Sequence, residues 1–147
     1  MTPAQQAALE ALAGRALTTD EAAAAAPLVA ARNDVALAAL VSTGRTRHVP
    51  TEIGVGTVLA TIGPGAGAWL DAITAVGEQS RDVYWALTLV HKGTLRLDMP
   101  ATRAQMQALA EAVPALADGI NALLGLCIAP DPVSQPAVSA ALNALEG

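Results

Sequence analysis

Few side chains in this sequence have the type and spacing that catalysis or metal binding requires. His48 and His91 lie in different segments, without obvious His, Asp or Glu companions at metal-site spacing. Cys127 is the one cysteine, and no histidine is placed by the sequence to activate it as a nucleophile. It continues the apolar spacing of residues 116–124, which favours a buried, inert thiol. The sequence therefore predicts no catalytic residue and no metal ligand.

A glycine-rich segment formally matches a cofactor-binding pattern. Residues 63–68, Gly-Pro-Gly-Ala-Gly-Ala, fit the G-x-G-x-x-A form of the dinucleotide fingerprint. That fingerprint works between a hydrophobic strand and a helix, and no such strand precedes this segment. We therefore expect a hinge between two helices and no cofactor.

Three arginines form the one locally basic region. Arg45 and Arg47 lie in the polar connector after Gly44, and Arg32 lies upstream. Their guanidinium groups could bind the carboxylates or phosphates of a partner, although a solvated loop is the plainer interpretation. Eight basic residues against thirteen acidic ones, a net charge of −5, argue against sequence-independent binding to nucleic acid. The three arginines are candidate interface residues.

The large rings are confined to three positions, Trp69, Tyr84 and Trp85. Trp69 fits an apolar helix face and is expected in the core. Consecutive helical residues diverge by about 100°, so Tyr84 and Trp85 cannot both point into the centre of the same core. Both are candidate interface residues, with core packing as the open alternative.

Helical periodicity extends along the whole chain and predicts a compact all-α bundle of about seven or eight short helices, with no significant sheet. Thr18 with Glu21 forms a capping box, Ser80 and Ser134 are N-caps, and Gly93 ends a helix. The prediction is one domain over residues 1–147. Residues 1–33 would be peripheral helices, and residues 133–147 a C-terminal helix after the break at residues 130–132.

Other local signals give weaker expectations. Pro27 should end one helix or begin another, and Asp34 should cap a short helix. Residues 94–98 alternate loosely but look too isolated to support a sheet, and Asp98 with Pro100 should open a helix. These expectations rest on neighbouring residues alone.

The longest uncharged stretch argues against a membrane span. Ile53 to Leu70 contains no charged residue, yet Gly63, Pro64 and Gly65 fall in its middle and weaken a helix there. The first residues also lack the basic and apolar regions of a secretory signal. Only 14% of residues are charged, so we expect apolar faces to remain exposed and to form contacts between copies of the chain.

Three segments resemble a known group of proteins. Residues 44–54, GRTRHVPTEIG, resemble a motif of small, Ala-rich, mostly uncharacterised structural or tail-associated proteins of tailed bacteriophages. The turn at residues 32–34 and the break at residues 130–134 are also similar, and the resemblance extends from about residue 28 to 145. It implies a virion context, in the tail or head–tail region, and assigns no functional residue.

The leading hypothesis is a non-enzymatic structural component of a tailed-phage virion, present in multiple copies. Its partners would be itself and other virion proteins, and it would pass through the host cytoplasm during assembly. An alternative is a soluble assembly adaptor or chaperone for virion proteins. A lower-ranked alternative is a small helical membrane-active protein built on residues 53–70.

Overall fold

The computed structural model describes residues 1–146 and is mostly α-helical, with strands of only two or three residues. This confirms the all-α prediction. The helices are α1 Pro3–Ala13, α2 Thr19–Ala30, α3 Asp34–Ser42, α4 Val55–Ile62, α5 Ala66–Gln79, α6 Arg81–Lys92, α7 Pro100–Ala112, α8 Pro114–Gly125 and α9 Gln135–Asn143. The strands are β1 Thr46–His48, β2 Glu52–Ile53, β3 Leu95–Arg96 and β4 Ile128–Pro130. A 3₁₀ turn, Gly63–Gly65, occupies the predicted hinge.

The chain contacts divide into two compact units. Unit 1 contains residues 1–47 and the chain from residue 130 onward, and unit 2 contains residues 48–129. The strands form two small sheets, β1 with β4 and β2 with β3. The prediction of one domain over residues 1–147 stays a prediction, and the structure adds that each unit has its own hydrophobic core.

The hydrophobic core of unit 1 is rich in alanine and valine. It comes from α1, α2, α3, α9 and the segment after α1. Residues 1–33, expected at the periphery, supply half of its buried members. The buried set is Leu9, Ala13, Leu17, Ala25, Val29, Leu37, Ala38, Val41, Val138 and Leu142. The predicted C-terminal helix, α9, contributes Val138 and Leu142 to this core. Ser134 caps the helix by accepting a hydrogen bond from the Ala137 N–H.

Unit 2 has the larger core, in which α4 to α8 surround β2 and β3. The two strands are antiparallel, with Glu52 opposite Arg96 and Ile53 opposite Leu95. Ile53 and Leu95 are buried there among residues of the helices. The buried set is Ile53, Val58, Ile73, Val83, Leu87, Val90, Leu95, Leu97, Met106, Leu116, Ile120, Leu123, Leu124 and Cys127.

The predicted helix caps are confirmed where their chemistry is local. Thr18 and Glu21 form the reciprocal capping box of α2, and the Gly93 backbone has φ 71°, in the left-handed region that favours glycine. The Ser80 hydroxyl accepts a hydrogen bond from the Val83 N–H at 3.5 Å and so caps α6. Each of these groups needs only partners within a few residues.

Two expectations in unit 1 are wrong. Pro27 lies inside α2 instead of ending it, because the last turn buries Val29 in the core and that packing outweighs the missing backbone donor. Asn33, not Asp34, is the N-cap of α3, and its side-chain oxygen accepts a hydrogen bond from the Ala36 N–H at 3.1 Å.

Two expectations in unit 2 are also wrong. Residues 95–96 do pair in a sheet, because Glu52 and Ile53 supply a partner strand that lies more than forty residues earlier. Asp98 does not cap α7, since its carboxylate accepts two hydrogen bonds from Arg96, at 2.6 and 2.7 Å. Met99 occupies the cap position without a side-chain hydrogen bond, while Pro100 begins α7 as expected.

Candidate functional site

The exposed face of α6 is the main candidate interaction surface of unit 2. The helix is amphipathic, because Val83, Leu87 and Val90 are buried in the core of unit 2. Its ends suit the helix dipole, with Asp82 in the first turn and Lys92 in the last. The fold therefore fixes α6 through one face and leaves the opposite face free to carry other side chains.

That opposite face is apolar and aromatic. Tyr84 is 47% exposed, Trp85 is 55% exposed and Leu89 is 41% exposed. The two rings pack edge to face, with centroids 5.4 Å apart and planes at 81°. Large exposed apolar side chains that are contiguous often mark an interface.

Arg81 holds the two rings from one side. Its guanidinium carbon lies 5.1 Å from the centroid of the Tyr84 ring and 5.7 Å from that of Trp85, both within cation–π range. A cation in the first turn opposes the helix dipole, so its position is explained by the rings and not by the helix. Trp, Tyr and Arg are also the residues most enriched at binding hot spots.

Two grooves flank this face. The groove between α5 and α6 is lined by residues that include Glu78, Tyr84 and Thr88. The groove between α6 and the β3–α7 region includes Trp85, Leu89 and Gln105. Both Tyr84 and Trp85 are exposed, which confirms that they do not share one core, and their role as interface residues stays a prediction.

The candidate arginines of unit 1 are not gathered around one site. Arg32, whose backbone has φ 51°, donates hydrogen bonds to Asn143 and Glu146 at the C-terminal end of the described chain. Arg47 is exposed on β1, and no hydrogen bond or ion pair of its side chain occurs among residues 1–146. As interface residues they stay predictions.

Arg45 is a structural tie within unit 1. Its guanidinium donates to the carbonyl of Leu12, to the carbonyl of Asp131 at 3.1 Å and to the Asp131 carboxylate. The Asp131 N–H donates in return to the Arg45 carbonyl at 3.1 Å. Because these donors are already used, Arg45 is a weaker candidate for partner binding than Arg47.

Two other ion pairs shift the pKa of a carboxyl group. The Arg15 guanidinium donates two hydrogen bonds to Glu21, which with the backbone of Thr18 lowers the pKa of Glu21 to about 2. Arg96 lowers the pKa of Asp98 to about 2 in the same way. The first pair supports a helix cap and the second supports the β3 turn, so both have a structural role.

The described residues contain no group of three or more His, Cys, Asp or Glu side chains that could hold a metal ion. Among these residues, no helix combines the length and the apolar character that crossing a membrane requires. Cys127 is buried, as its spacing predicted. The Asp34 carboxylate is almost buried, with Oδ2 accepting a hydrogen bond from the Ser139 hydroxyl at 2.5 Å.

Sequence reasoning missed Arg81, Asp82, Leu89 and Lys92 as members of the α6 face. For Asp82, Leu89 and Lys92 the signal was present, because residues 82, 85, 89 and 92 follow the three–four–three spacing of one helix stripe. Comparison with known proteins adds no family to this picture: no protein family, curated protein or solved structure gives a significant match to this chain.

Proposed function

We propose that this chain is a non-enzymatic structural protein that acts by binding other protein chains in multiple copies. The observation that supports this proposal is the α6 face of unit 2. Tyr84 and Trp85 are about half exposed, pack against each other and are covered on one side by Arg81. Rings held in this way lose little conformational freedom when a partner covers them, which favours binding.

We further propose that the assembly is a tailed-phage particle, in the tail or the head–tail region. This part rests on the motif at residues 44–54 and on the two shorter similar segments. The Arg47 side chain belongs to that motif and is exposed on β1, where a carboxylate of another virion protein can reach it. The chain would be in the host cytoplasm only during assembly.

The proposal is tested with purified particles of the phage that encodes this chain. Particles are separated from free protein by density-gradient centrifugation, and their proteins are quantified by mass spectrometry against a labelled standard of this chain. We expect several copies per particle, retained after a wash in high salt. The matched control is a non-structural protein of the same phage, which should be lost at the gradient step.

The alternative is a soluble assembly adaptor, which binds virion proteins but leaves before the particle is complete. It predicts the chain in lysates and in assembly intermediates, and its absence from finished particles. That result would overturn the structural role.

A further inference from the structure

A single stripe of α6 combines opposite charges at its ends with apolar groups between them. Asp82, Trp85, Leu89 and Lys92 are all exposed, and their spacing of three, four and three residues places them along one side of the helix. We call these four residues the α6 stripe. Read from the N-terminus, its chemistry is acid, aromatic, aliphatic and base.

The order of these four groups along α6 is complementary to the same order on a second copy that runs in the opposite direction. Asp82 and Lys92 are equally far from Leu87 along the helix, and so are Trp85 and Leu89. When two copies of α6 lie antiparallel and cross level with Leu87, Asp82 meets Lys92 of the partner copy. Trp85 then meets Leu89 of the partner copy, and both contacts occur twice. A parallel pair would instead place like charges together at both ends.

We propose that a second copy of this chain docks on the α6 stripe, antiparallel and with a twofold axis level with Leu87. This proposal deepens the proposed function, on which it rests, by naming one partner and one surface. A twofold axis makes the same patch face itself, which is the commonest arrangement in homo-oligomers. The charges set the direction of the helices, and the apolar pair contributes most of the affinity.

The neighbouring charged groups are compatible with this arrangement. Arg81 lies against the rings of Tyr84 and Trp85, so its charge is drawn away from the end of the stripe. Arg96, at the edge of the groove beside Trp85, is neutralised by Asp98. Asp82 and Lys92 are therefore the charges that determine the pairing at the two ends.

The dimer should be weak. One pair of short helices buries less than the roughly 1,200 Å² of a standard stable interface. We therefore expect association at about 10–100 μM chain, a range in which small changes in affinity are easy to measure. In a multi-copy assembly such a contact is strengthened by the other contacts that hold the copies together.

Sedimentation velocity of the full chain, from about 1 to 500 μM, measures the dimer. Leu89→Ala should weaken it at least about tenfold, since the apolar contact is made twice. The matched control is Leu59→Ala, the same change at a leucine of α4 with similar exposure, 48% against 41%. The control should leave the dissociation constant unchanged within about twofold.

Charge reversal tests the direction of the helices. Asp82→Lys alone and Lys92→Asp alone each place like charges at both ends of the antiparallel pair, so each should weaken the dimer by about threefold to tenfold. The double variant restores opposite charges and should return the dissociation constant to within about twofold of the unmodified chain. Circular dichroism of each variant checks that the helices are intact.

Three results would overturn the proposal: a monomer at every concentration, an equal effect of Leu59→Ala and Leu89→Ala, or a double charge variant no better than the singles. These outcomes concern only the isolated chain. The proposed function is tested by the content of purified particles, so either proposal can fail while the other holds.

Discussion

Trp69 of α5 packs tightly against Gly119 of α8, and this contact supports a quantitative stability prediction. The Trp69 indole N–H donates to the carbonyl of Leu116 at 3.2 Å, which places the ring flat over Gly119. A Cβ atom at Gly119 would lie 2.7 Å from both Cδ1 and Cε2 of the ring, and closer still to Nε1. Gly119→Ala must therefore displace the ring.

The expected cost follows from three contributions. Overpacking of a well-fitted site costs about 1–3 kcal/mol, and loss of the indole hydrogen bond costs about 1 kcal/mol. Replacement of glycine by alanine within a helix returns about 1 kcal/mol. The free energy of unfolding of unit 2 should fall by about 1–3 kcal/mol in Gly119→Ala.

Urea unfolding followed by tryptophan fluorescence measures this change, since both tryptophans, Trp69 and Trp85, lie in unit 2. The matched control is Gly125→Ala in the same helix, where an added Cβ meets nothing within 4 Å. The control should keep the original stability or gain up to about 1 kcal/mol, since alanine favours the helix and meets no obstacle there. A second variant, Trp69→Leu combined with Gly119→Ala, should lose less than the two single changes together, because the smaller side chain leaves room for the methyl group. Equal or greater stability of Gly119→Ala would refute the reasoning.

Two further predictions concern ion pairs. Arg45→Met should destabilise unit 1 by about 2 kcal/mol, because the partly buried Leu12 carbonyl and Asp131 lose a charged donor, and amide hydrogen exchange in α1 should rise. On acidification, the pKa values of about 2 for Glu21 and Asp98 lie below the value of about 4 expected in the unfolded chain. Their stabilisation is therefore complete above pH ~4 and is lost as the pH falls towards ~2, which urea unfolding between pH 2 and 5 would measure. The variants Glu21→Gln and Asp98→Asn should flatten that dependence.

The parts of the fold that the sequence predicted are those with local causes. The caps at Thr18, Ser80 and Gly93 need only groups within one helical turn, so their residue types are sufficient evidence. The parts it missed depend on distant chain segments. Arg45 and its partner Asp131 are 86 residues apart, and no local pattern signals that pairing.

The candidate site also combines features that local sequence predicts with features that depend on distant chain segments. The helix geometry established that Tyr84 and Trp85 diverge, but not which surface each would face, because that depends on the packing of α5 and α7 around α6. The sequence did not show that Glu146 and Asp131 pair with Arg32 and Arg45, because these carboxylates are far away along the chain. Arg32 also forms an ion pair with Asp34, two residues away, at 3.7 Å. The spacing that places Leu89 on the α6 stripe is visible in the sequence, but apolar residues at such a spacing normally face a core.

The side chains on the exposed face of α6 are not the ones that hold this helix in the core of unit 2. Val83, Leu87 and Val90 already anchor the helix in unit 2, so the rings on the other side add little to its folding. Leaving Trp85 more than half in water forgoes part of the free energy that its burial would supply. Arg81 nevertheless holds that ring in place at the helix end where its charge is least favourable. A partner that covers the ring, as we propose, would recover that free energy, and a partner copy with Leu89 at the matching level fits that requirement.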